Sequence, residues 1–107
     1  METLNYRFEG GQRPLSGMPQ LVGVVGSGNL EILIEPAHLK GACEIEVRTA
    51  SVGFGATRQA VMADFHARWS LADARVSVND MGATPAVVSL RLDQAVESIA
   101  ALPGGAP

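Results

Sequence analysis

The clearest indication of the fold is the segment Leu30-Glu31-Ile32-Leu33-Ile34-Glu35-Pro36. Its positions 30, 32 and 34 are branched apolar residues, and positions 31 and 35 are glutamates. This alternation is typical of a β-strand with one face on a core and the other in water. The same pattern recurs over 43–48, 74–79 and 87–92, and residues 21–25 form a shorter apolar run. These segments predict one mainly antiparallel sheet of about five strands.

Two other segments have apolar residues at helical spacing. Between 56 and 69, Met62, Phe65 and Trp69 recur at intervals of three and four residues, which predicts an amphipathic helix. Asp93 is the predicted N-cap of a second helix over 94–101. The predicted order is therefore β-β-β-α-β-β-α. We expect an α+β two-layer sandwich, in which both helices cover one face of the sheet.

Length and composition narrow the class of protein. The 107 residues predict a single domain, 1–107, with a flexible Gly- and Pro-rich loop at 9–20 and a frayed tail at 103–107. A net charge of −3 with eight lysines and arginines argues against binding to nucleic acid. The chain has no signal-peptide pattern and no apolar run of the roughly 20 residues that cross a bilayer. We expect a cytoplasmic protein without membrane association.

Several polar residues have structural interpretations. Cys43 alternates with apolar residues on its strand, so we expect a buried, unreactive thiol. Asp80 falls on the inward phase of its strand and is expected to accept hydrogen bonds from turn amides. His38 and His66 lack the spacing of metal ligands, so no metal site is predicted. The segment 82–85 is predicted to be a turn between two strands.

Four glutamates share the solvent phase of two neighbouring predicted strands. They are Glu31, Glu35, Glu44 and Glu46. Such a pattern usually indicates a solvated face rather than paired catalytic carboxylates. The same face is a candidate docking surface for a basic partner.

The candidate functional residue is Ser27, in the segment Gly26-Ser27-Gly28-Asn29, which is predicted to be a four-residue loop between two strands. The flanking Gly26 and Gly28 leave its hydroxyl accessible to another protein. The segment matches no dinucleotide fingerprint, P-loop or nucleophile elbow, and no histidine is close in sequence to act as a base. We therefore predict no catalytic residue and an attachment point for a covalent group. The alternative is a plain glycine-rich hairpin in which Ser27 is a polar turn residue.

Three segments together resemble one protein family. Residues 21–36 and 79–94 resemble the acyl carrier subunit, or delta chain, of bacterial malonate decarboxylase, and Gly53-Phe54-Gly55-Ala56-Thr57-Arg58 resembles it more loosely. The acyl carrier chain of citrate lyase is a more distant relative by the same pattern. Fatty-acid-type carriers have an Asp-Ser-Leu triplet at the start of a helix, and this triplet is absent here.

The resemblance implies a function for Ser27. The family's serine at this position carries 2′-(5″-phosphoribosyl)-3′-dephospho-coenzyme A through a phosphodiester link, and Gly26 and Gly28 give access to it. The thiol of that group holds acetyl, which is exchanged for malonyl and regenerated by decarboxylation. The implied partners are the acetyl/malonyl transferase and decarboxylase subunits of the complex and the transferase that attaches the prosthetic group. The carrier itself is implied to be non-catalytic.

Two alternatives remain open from the residues. The first alternative to the malonate decarboxylase carrier is a carrier of a citrate-lyase-type complex, and the second is an unmodified α+β interaction module. In the second case the partner docks on the acidic face and is indifferent to Ser27.

Overall fold

The computed structural model describes residues 2–14, 23–27, 30–50, 53 and 55–100, with the side chains of 14, 23–27 and 98–100 outside the description. In chain order the elements are β1 (Glu2–Phe8), β2 (Arg13–Pro14), β3 (Gly23–Ser27), β4 (Leu30–Pro36), β5 (Cys43–Thr49), α1 (Gly55–Trp69), β6 (Leu71–Ala72), β7 (Ala74–Asp80) and α2 (Pro85–Ala100).

Five of these strands form one sheet in the order β1-β5-β7-β4-β3. β1 pairs antiparallel with β5, and β4 pairs antiparallel with both β7 and β3. The one parallel pair among them, β5 and β7, is joined through α1, as a parallel connection requires a crossover. The predicted α+β class with a mainly antiparallel sheet is confirmed.

The core lies between the sheet and the two helices. Alternate residues of β4, β5 and β7 are fully buried on one face, and Met62 and Phe65 of α1 pack against them. Trp69 is only partly buried at the margin of this core. The helical stripe predicted for α1 is therefore confirmed, and both helices cover the same face. The buried apolar residues of α2 are Val88, Leu92, Ala95 and Val96.

The prediction for residues 87–101 is wrong. Residues 87–92, predicted as a strand, and residues 94–100 of the separately predicted helix belong to one continuous helix, α2, and Asp93 lies in its middle rather than at its N-cap. Apolar residues alternate at positions 88, 90 and 92, and this alternation led to the prediction of a strand. The apolar residues at 88, 92, 95 and 96 follow helical spacing instead, which leaves Leu90 exposed.

The true start of α2 has its own sequence signal. The Oγ1 of Thr84 accepts a hydrogen bond from the backbone N–H of Val87 at 3.3 Å. Pro85 occupies the first helical position, where its missing N–H has no cost. Thr84 followed by Pro85 therefore marks the start of a helix. The segment 82–85 leads into this helix rather than into another strand.

The sequence prediction also missed β1. Leu4, Tyr6 and Phe8 are partly buried against the core, and the residues between them are exposed. The main sheet has five strands, as predicted, because β1 belongs to it in place of the strand predicted at 87–92.

Within the segment 9–20, predicted as a loop, Arg13–Pro14 form a short strand parallel to Leu71–Ala72. Gly11 permits this close approach, because a Cβ there would lie 2.1 Å from the carbonyl oxygen of Leu71. Residues 15–20 and the predicted tail at 103–107 lie outside the described residues.

Substitution of Phe65 by alanine tests the packing of α1 on the sheet. Among the described residues, Phe65 is the largest fully buried side chain. Its truncation is expected to lower the free energy of unfolding by about 3–5 kcal/mol, because the cavity cannot be refilled by neighbours in a packed core. Urea denaturation measures the loss. The control Leu90→Ala, at a position exposed by 51%, should cost less than about 1 kcal/mol, and a comparable loss in both variants would contradict this packing.

Candidate functional site at one end of the sheet

The hairpin that contains Ser27 is tighter than predicted. Gly26 pairs with Glu31, and Ser27 pairs with Leu30, so both residues belong to strand β3. The prediction of a four-residue loop is therefore wrong, and only Gly28 and Asn29 connect the strands. A Gly-Asn pair between two strands is itself typical of a two-residue hairpin connection. The alternation of apolar and polar residues in β4 begins at Leu30, directly after this pair.

The structure describes Ser27 by its backbone. Its side chain, and Gly28 and Asn29 entirely, lie outside the described part of the chain. The accessibility of the Ser27 hydroxyl therefore stays a prediction. Its place in the fold is defined, since β3 is an edge strand with β4 as its neighbour.

The strand register places Ser27 in a row of residues across one end of the sheet. Ser27 pairs with Leu30, Leu30 pairs with Asp80, and Asp80 pairs with Thr49. Two strand spacings separate the backbones of Ser27 and Asp80, which is about 10 Å. The residues that hold this end of the sheet therefore lie close to the candidate site.

Asp80 is the centre of a buried polar network in this row. Its side chain is fully buried, and its Oδ1 accepts hydrogen bonds from the backbone N–H groups of Gly82 at 3.0 Å and Ala83 at 2.7 Å. Its Oδ2 accepts from the hydroxyl of Thr49 at 3.2 Å and from Nη2 of Arg58. The expectation that Asp80 accepts hydrogen bonds from turn amides is confirmed.

Arg58 is the residue that sequence reasoning missed. It lies in the first turn of α1 and is 3% exposed, and its Nη2 also donates to the backbone oxygen of Ala83 at 3.3 Å. The sequence did indicate that Arg58 lies on the apolar stripe of α1, because it precedes Met62 by four residues and Phe65 by seven. A charged residue on the apolar stripe of a helix needs a buried partner, and Asp80 on an inward strand position supplies it.

The network brings together segments that are far apart in sequence. Arg58 belongs to the segment 53–58, and Asp80 to the segment 79–94. The pairing of Asp80 with Leu30 adds the segment 21–36. These are the three segments that carry the family resemblance, and each contributes a residue to this end of the sheet.

The histidines lie away from Ser27. His66 stacks on Phe8, with 4.8 Å between the ring centroids, and Phe8 is the last residue of β1, while Glu2 lies in the row at the Ser27 end. Six residues of strand separate the two ends, which is about 20 Å. His38 follows Pro36, which is also at the far end of its strand. Neither histidine is placed to act as a base for Ser27.

The outer face of the sheet is less acidic than its glutamates suggested. Arg7 pairs with Glu44 at 2.5 Å, Arg48 pairs with Glu46 at 3.0 Å, and Arg75 approaches Glu44 at 3.7 Å. These exposed pairs neutralise the two glutamates of β5. The face therefore offers little net charge to a basic partner.

The described residues support neither a metal site nor a membrane-spanning helix. They contain no group of three or more His, Cys, Asp or Glu side chains that could hold a metal ion. Among the same residues, no helix combines the length and apolar character that crossing a membrane demands.

Cys43 is fully buried in the core, as predicted. Burial, with a smaller contribution from Glu44, raises the pKa of the thiol to about 12. Since the thiolate is the reactive form, Cys43 should resist an iodoacetamide reagent from pH 7 to pH 9 in the folded protein and react fully in denaturant. Mass spectrometry of the alkylated chain measures this, and rapid alkylation without denaturant would contradict the burial.

Substitution of Asp80 by asparagine tests the buried network. The variant leaves the charge of Arg58 buried without a counter-ion, which is expected to lower the free energy of unfolding by about 3–5 kcal/mol. Asp64→Asn is the matched control, because Asp64 pairs with Arg68 at an exposed position on α1 and its loss should cost about 1 kcal/mol or less. Equal losses in the two variants, measured in urea, would show that the Arg58–Asp80 pair does not hold this end of the sheet.

Comparison with known proteins gives the same family for most of the chain. The profile of the malonate decarboxylase delta subunit, an acyl carrier protein family, matches residues 18–99. A malonate decarboxylase acyl carrier protein of Xanthomonas euvesicatoria pv. vesicatoria (strain 85-10) is 61% identical over 98 residues, covering 91% of this chain and 93% of that protein. One from Stenotrophomonas maltophilia (strain K279a) is 60% identical over 104 residues, covering 94% and 96%.

A solved structure shows the same fold. One chain in the crystal structure of a Pseudomonas malonate decarboxylase hetero-tetramer in complex with malonate superposes with a TM-score of 0.75 and 34% identity. The match covers 92% of this chain and 98% of the other. The similarity therefore extends over nearly the whole of both chains. The chain belongs to the malonate decarboxylase delta-subunit family of acyl carrier proteins.

Proposed function

We propose that this protein is the acyl carrier subunit of a malonate decarboxylase, and that Ser27 is the attachment point of its prosthetic group. The observation that carries the proposal is the position of Ser27 at the end of edge strand β3, in register with the network around Asp80. The names of relatives at about 60% identity support the carrier role and favour malonate over citrate as the system.

The position of Ser27 fits a covalent arm. An edge strand has a neighbour on one side only, so a group attached at its end can leave the sheet without crossing another strand. The proposed group is 2′-(5″-phosphoribosyl)-3′-dephospho-coenzyme A, joined to Ser27 by a phosphodiester, and its thiol would hold acetyl or malonyl as a thioester. Gly26 and Gly28 flank the attachment point and leave room for the enzyme that attaches the group.

The chain itself contributes the positioning of the acyl group. The Arg58–Asp80 network fixes the end of the sheet next to the Ser27 hairpin, so the base of the arm has a defined location. Tethering raises the effective concentration of the thioester at each partner active site. We propose that the chain is a single, non-catalytic carrier domain of the cytoplasm. The distance of both histidines from Ser27 supports the absence of a local base.

The partners follow from this role. We propose that the chain presents its acyl group to the acetyl/malonyl transferase and decarboxylase subunits, and receives its prosthetic group from a dedicated transferase. The related Pseudomonas chain comes from a malonate decarboxylase hetero-tetramer, which supports assembly with other subunits. A partner docked on the glutamates of the outer face is less favoured, because arginines pair with Glu44 and Glu46.

Replacement of Ser27 by alanine tests the attachment. The chain is co-expressed with the prosthetic-group transferase and its intact mass is measured. The unsubstituted chain should gain the mass of the phosphoribosyl-dephospho-coenzyme A group, and Ser27→Ala should gain none. Ser77→Ala, at a half-buried position on β7, is the matched serine control and should be modified fully.

Modification that persists in Ser27→Ala would overturn the assignment of the site, and an unchanged mass in the unsubstituted chain would overturn the carrier function. Ser27→Ala should keep the melting temperature of the unmodified chain within about 2 °C, since the loss of one hydroxyl at the end of an edge strand costs little.

A further inference from the structure

Both helices begin at the end of the sheet where Ser27 lies. The parallel strands β5 and β7 end at Thr49 and Asp80, in the same row as Leu30 and Ser27. α1 follows β5 in the chain, and α2 follows β7. In α/β sheets, the carboxyl ends of neighbouring parallel strands, with helix N-termini beside them, are where ligands bind.

Arg58 connects the starts of the two helices. It belongs to the first turn of α1, and its Nη2 donates to the carboxylate of Asp80 and, at 3.3 Å, to the backbone oxygen of Ala83. Ala83 lies two residues before Pro85, the first residue of α2. The Arg58 guanidinium therefore lies between the start of α1 and the start of α2.

This guanidinium has more donors than the described residues satisfy. Arg58 is 3% exposed. Its Nε and Nη1 are buried, and neither has a hydrogen-bond acceptor within the described part of the chain. Buried N–H groups are nearly always paired with protein, water or a ligand, because an unpaired one costs free energy. The two nitrogens therefore mark a place for an acceptor that the described residues do not supply.

The charge at this place favours an anion. Arg58 contributes one positive charge, and each helix N-terminus contributes about half of one. Neither helix has an acidic residue in its first turn. Among the described residues, the carboxylate that bonds to Arg58 and to the turn amides before α2 is Asp80. The carboxylate of Glu2 accepts from Gly53 at 3.4 Å, on β1 at the opposite edge of the sheet from Ser27. About one positive charge is therefore left without a counter-ion.

The first turns of both helices are open to solvent. Thr57 of α1 and Ala86 of α2 are exposed, and the first N–H groups of a helix have no acceptor within the helix. α2 packs against β3, the strand that ends at Ser27. Two strand spacings, about 10 Å, separate the backbone of Ser27 from that of Asp80. A phosphate group that enters between the two helix starts would therefore meet several donors close to Ser27.

We infer that Arg58 and the first turns of α1 and α2 form a phosphate-binding site, and that this site holds a phosphate of the arm on Ser27. The inference rests on the proposed carrier function. The proposed arm contains the phosphate of its ribosyl group and the diphosphate of coenzyme A, and a guanidinium suits phosphate oxygens well. Binding there would hold the base of the arm against the end of the sheet and leave its thiol free to reach a partner.

Nuclear magnetic resonance of the ¹⁵N-labelled chain tests the site without an activity measurement. The chain modified by co-expression with the prosthetic-group transferase is compared with the unmodified chain. The side-chain N–H resonances of Arg58 and the backbone amides of Thr57 and Ala86 should shift on modification. The control is Arg68, ten residues further along α1, or about 15 Å. Its Nε donates to Asp93, and its resonance should not shift.

Titration with inorganic phosphate at constant ionic strength distinguishes the arm from a free anion. The Arg58 resonances of the unmodified chain should shift as phosphate is added. The modified chain should show no further shift, because a phosphate of the arm already occupies the site. Equal phosphate-dependent shifts in both forms would overturn the arm as the ligand. No shift of Arg58 on modification or with phosphate would overturn the site itself.

Two substitutions place a carboxylate beside the site. Thr57→Asp and Ala86→Asp are each expected to weaken phosphate binding about fivefold or more, because the new charge repels the anion. A carboxylate in the first turn also favours the helix, so both variants should fold. The matched control is Ala63→Asp, at an exposed position in the middle of α1, which should leave the affinity unchanged. Unchanged affinity in both Thr57→Asp and Ala86→Asp would contradict the site.

Arg58→Lys tests the guanidinium directly. The lysine keeps a cation for Asp80 but has neither Nε nor Nη1, so phosphate binding should weaken about tenfold. Circular dichroism verifies that the variant is folded. If it does not fold, Thr57→Asp and Ala86→Asp decide the question. A folded Arg58→Lys chain that binds phosphate as the unsubstituted chain does would overturn the role of Arg58.

Failure of the carrier proposal would be recognised separately. If Ser27 gains no prosthetic group, the intact mass shows it and the arm is overturned as the ligand, while the phosphate titration still decides whether the site exists. In Ser27→Ala co-expressed with the transferase, the Arg58 resonances should match those of the unmodified chain. A shift equal to that of the modified chain would contradict an arm on Ser27 as the source of the phosphate.

Discussion

The buried ion pair between Arg58 and Asp80 is the interaction on which this end of the molecule depends. A carboxylate without solvent is costly unless its lone pairs are satisfied, and Asp80 accepts from Thr49, from Arg58 and from two turn amides. These four donors come from three different parts of the chain. The network around Asp80 therefore joins β5, β7, the first turn of α1 and the turn before α2.

This arrangement separates stability from function. Asp80, the centre of the network that holds the sheet end, lies two strands away from Ser27. Ser27, the proposed attachment point, lies on an edge strand, which has a neighbouring strand on one side only. The proposed carrier function needs this combination, because an arm on Ser27 must be free to move while its base stays fixed.

Much of the fold follows from local pattern, and the errors have physical causes. β4, β5, β7 and α1 were predicted because each has a single period that matches its burial. In residues 87–92 the apolar positions fit both the period of a strand and the period of a helix. Only the capping residue Thr84, followed by Pro85, distinguishes a helix from a strand there. The pairing of Arg58 with Asp80 could not be assigned from spacing alone, since 22 residues separate them. Ser27 was predicted as the candidate site from its glycine neighbours, and the strand register, which sequence does not give, places it in β3 rather than in a loop.

The most direct measurement is peptide mapping by tandem mass spectrometry of the chain purified from its native, active complex. The account predicts one modified peptide, which contains Ser27, with the phosphoribosyl-dephospho-coenzyme A group on that serine and an acyl thioester on part of the population. An active complex in which the Ser27 peptide is unmodified, or in which the group lies on another residue, would contradict it.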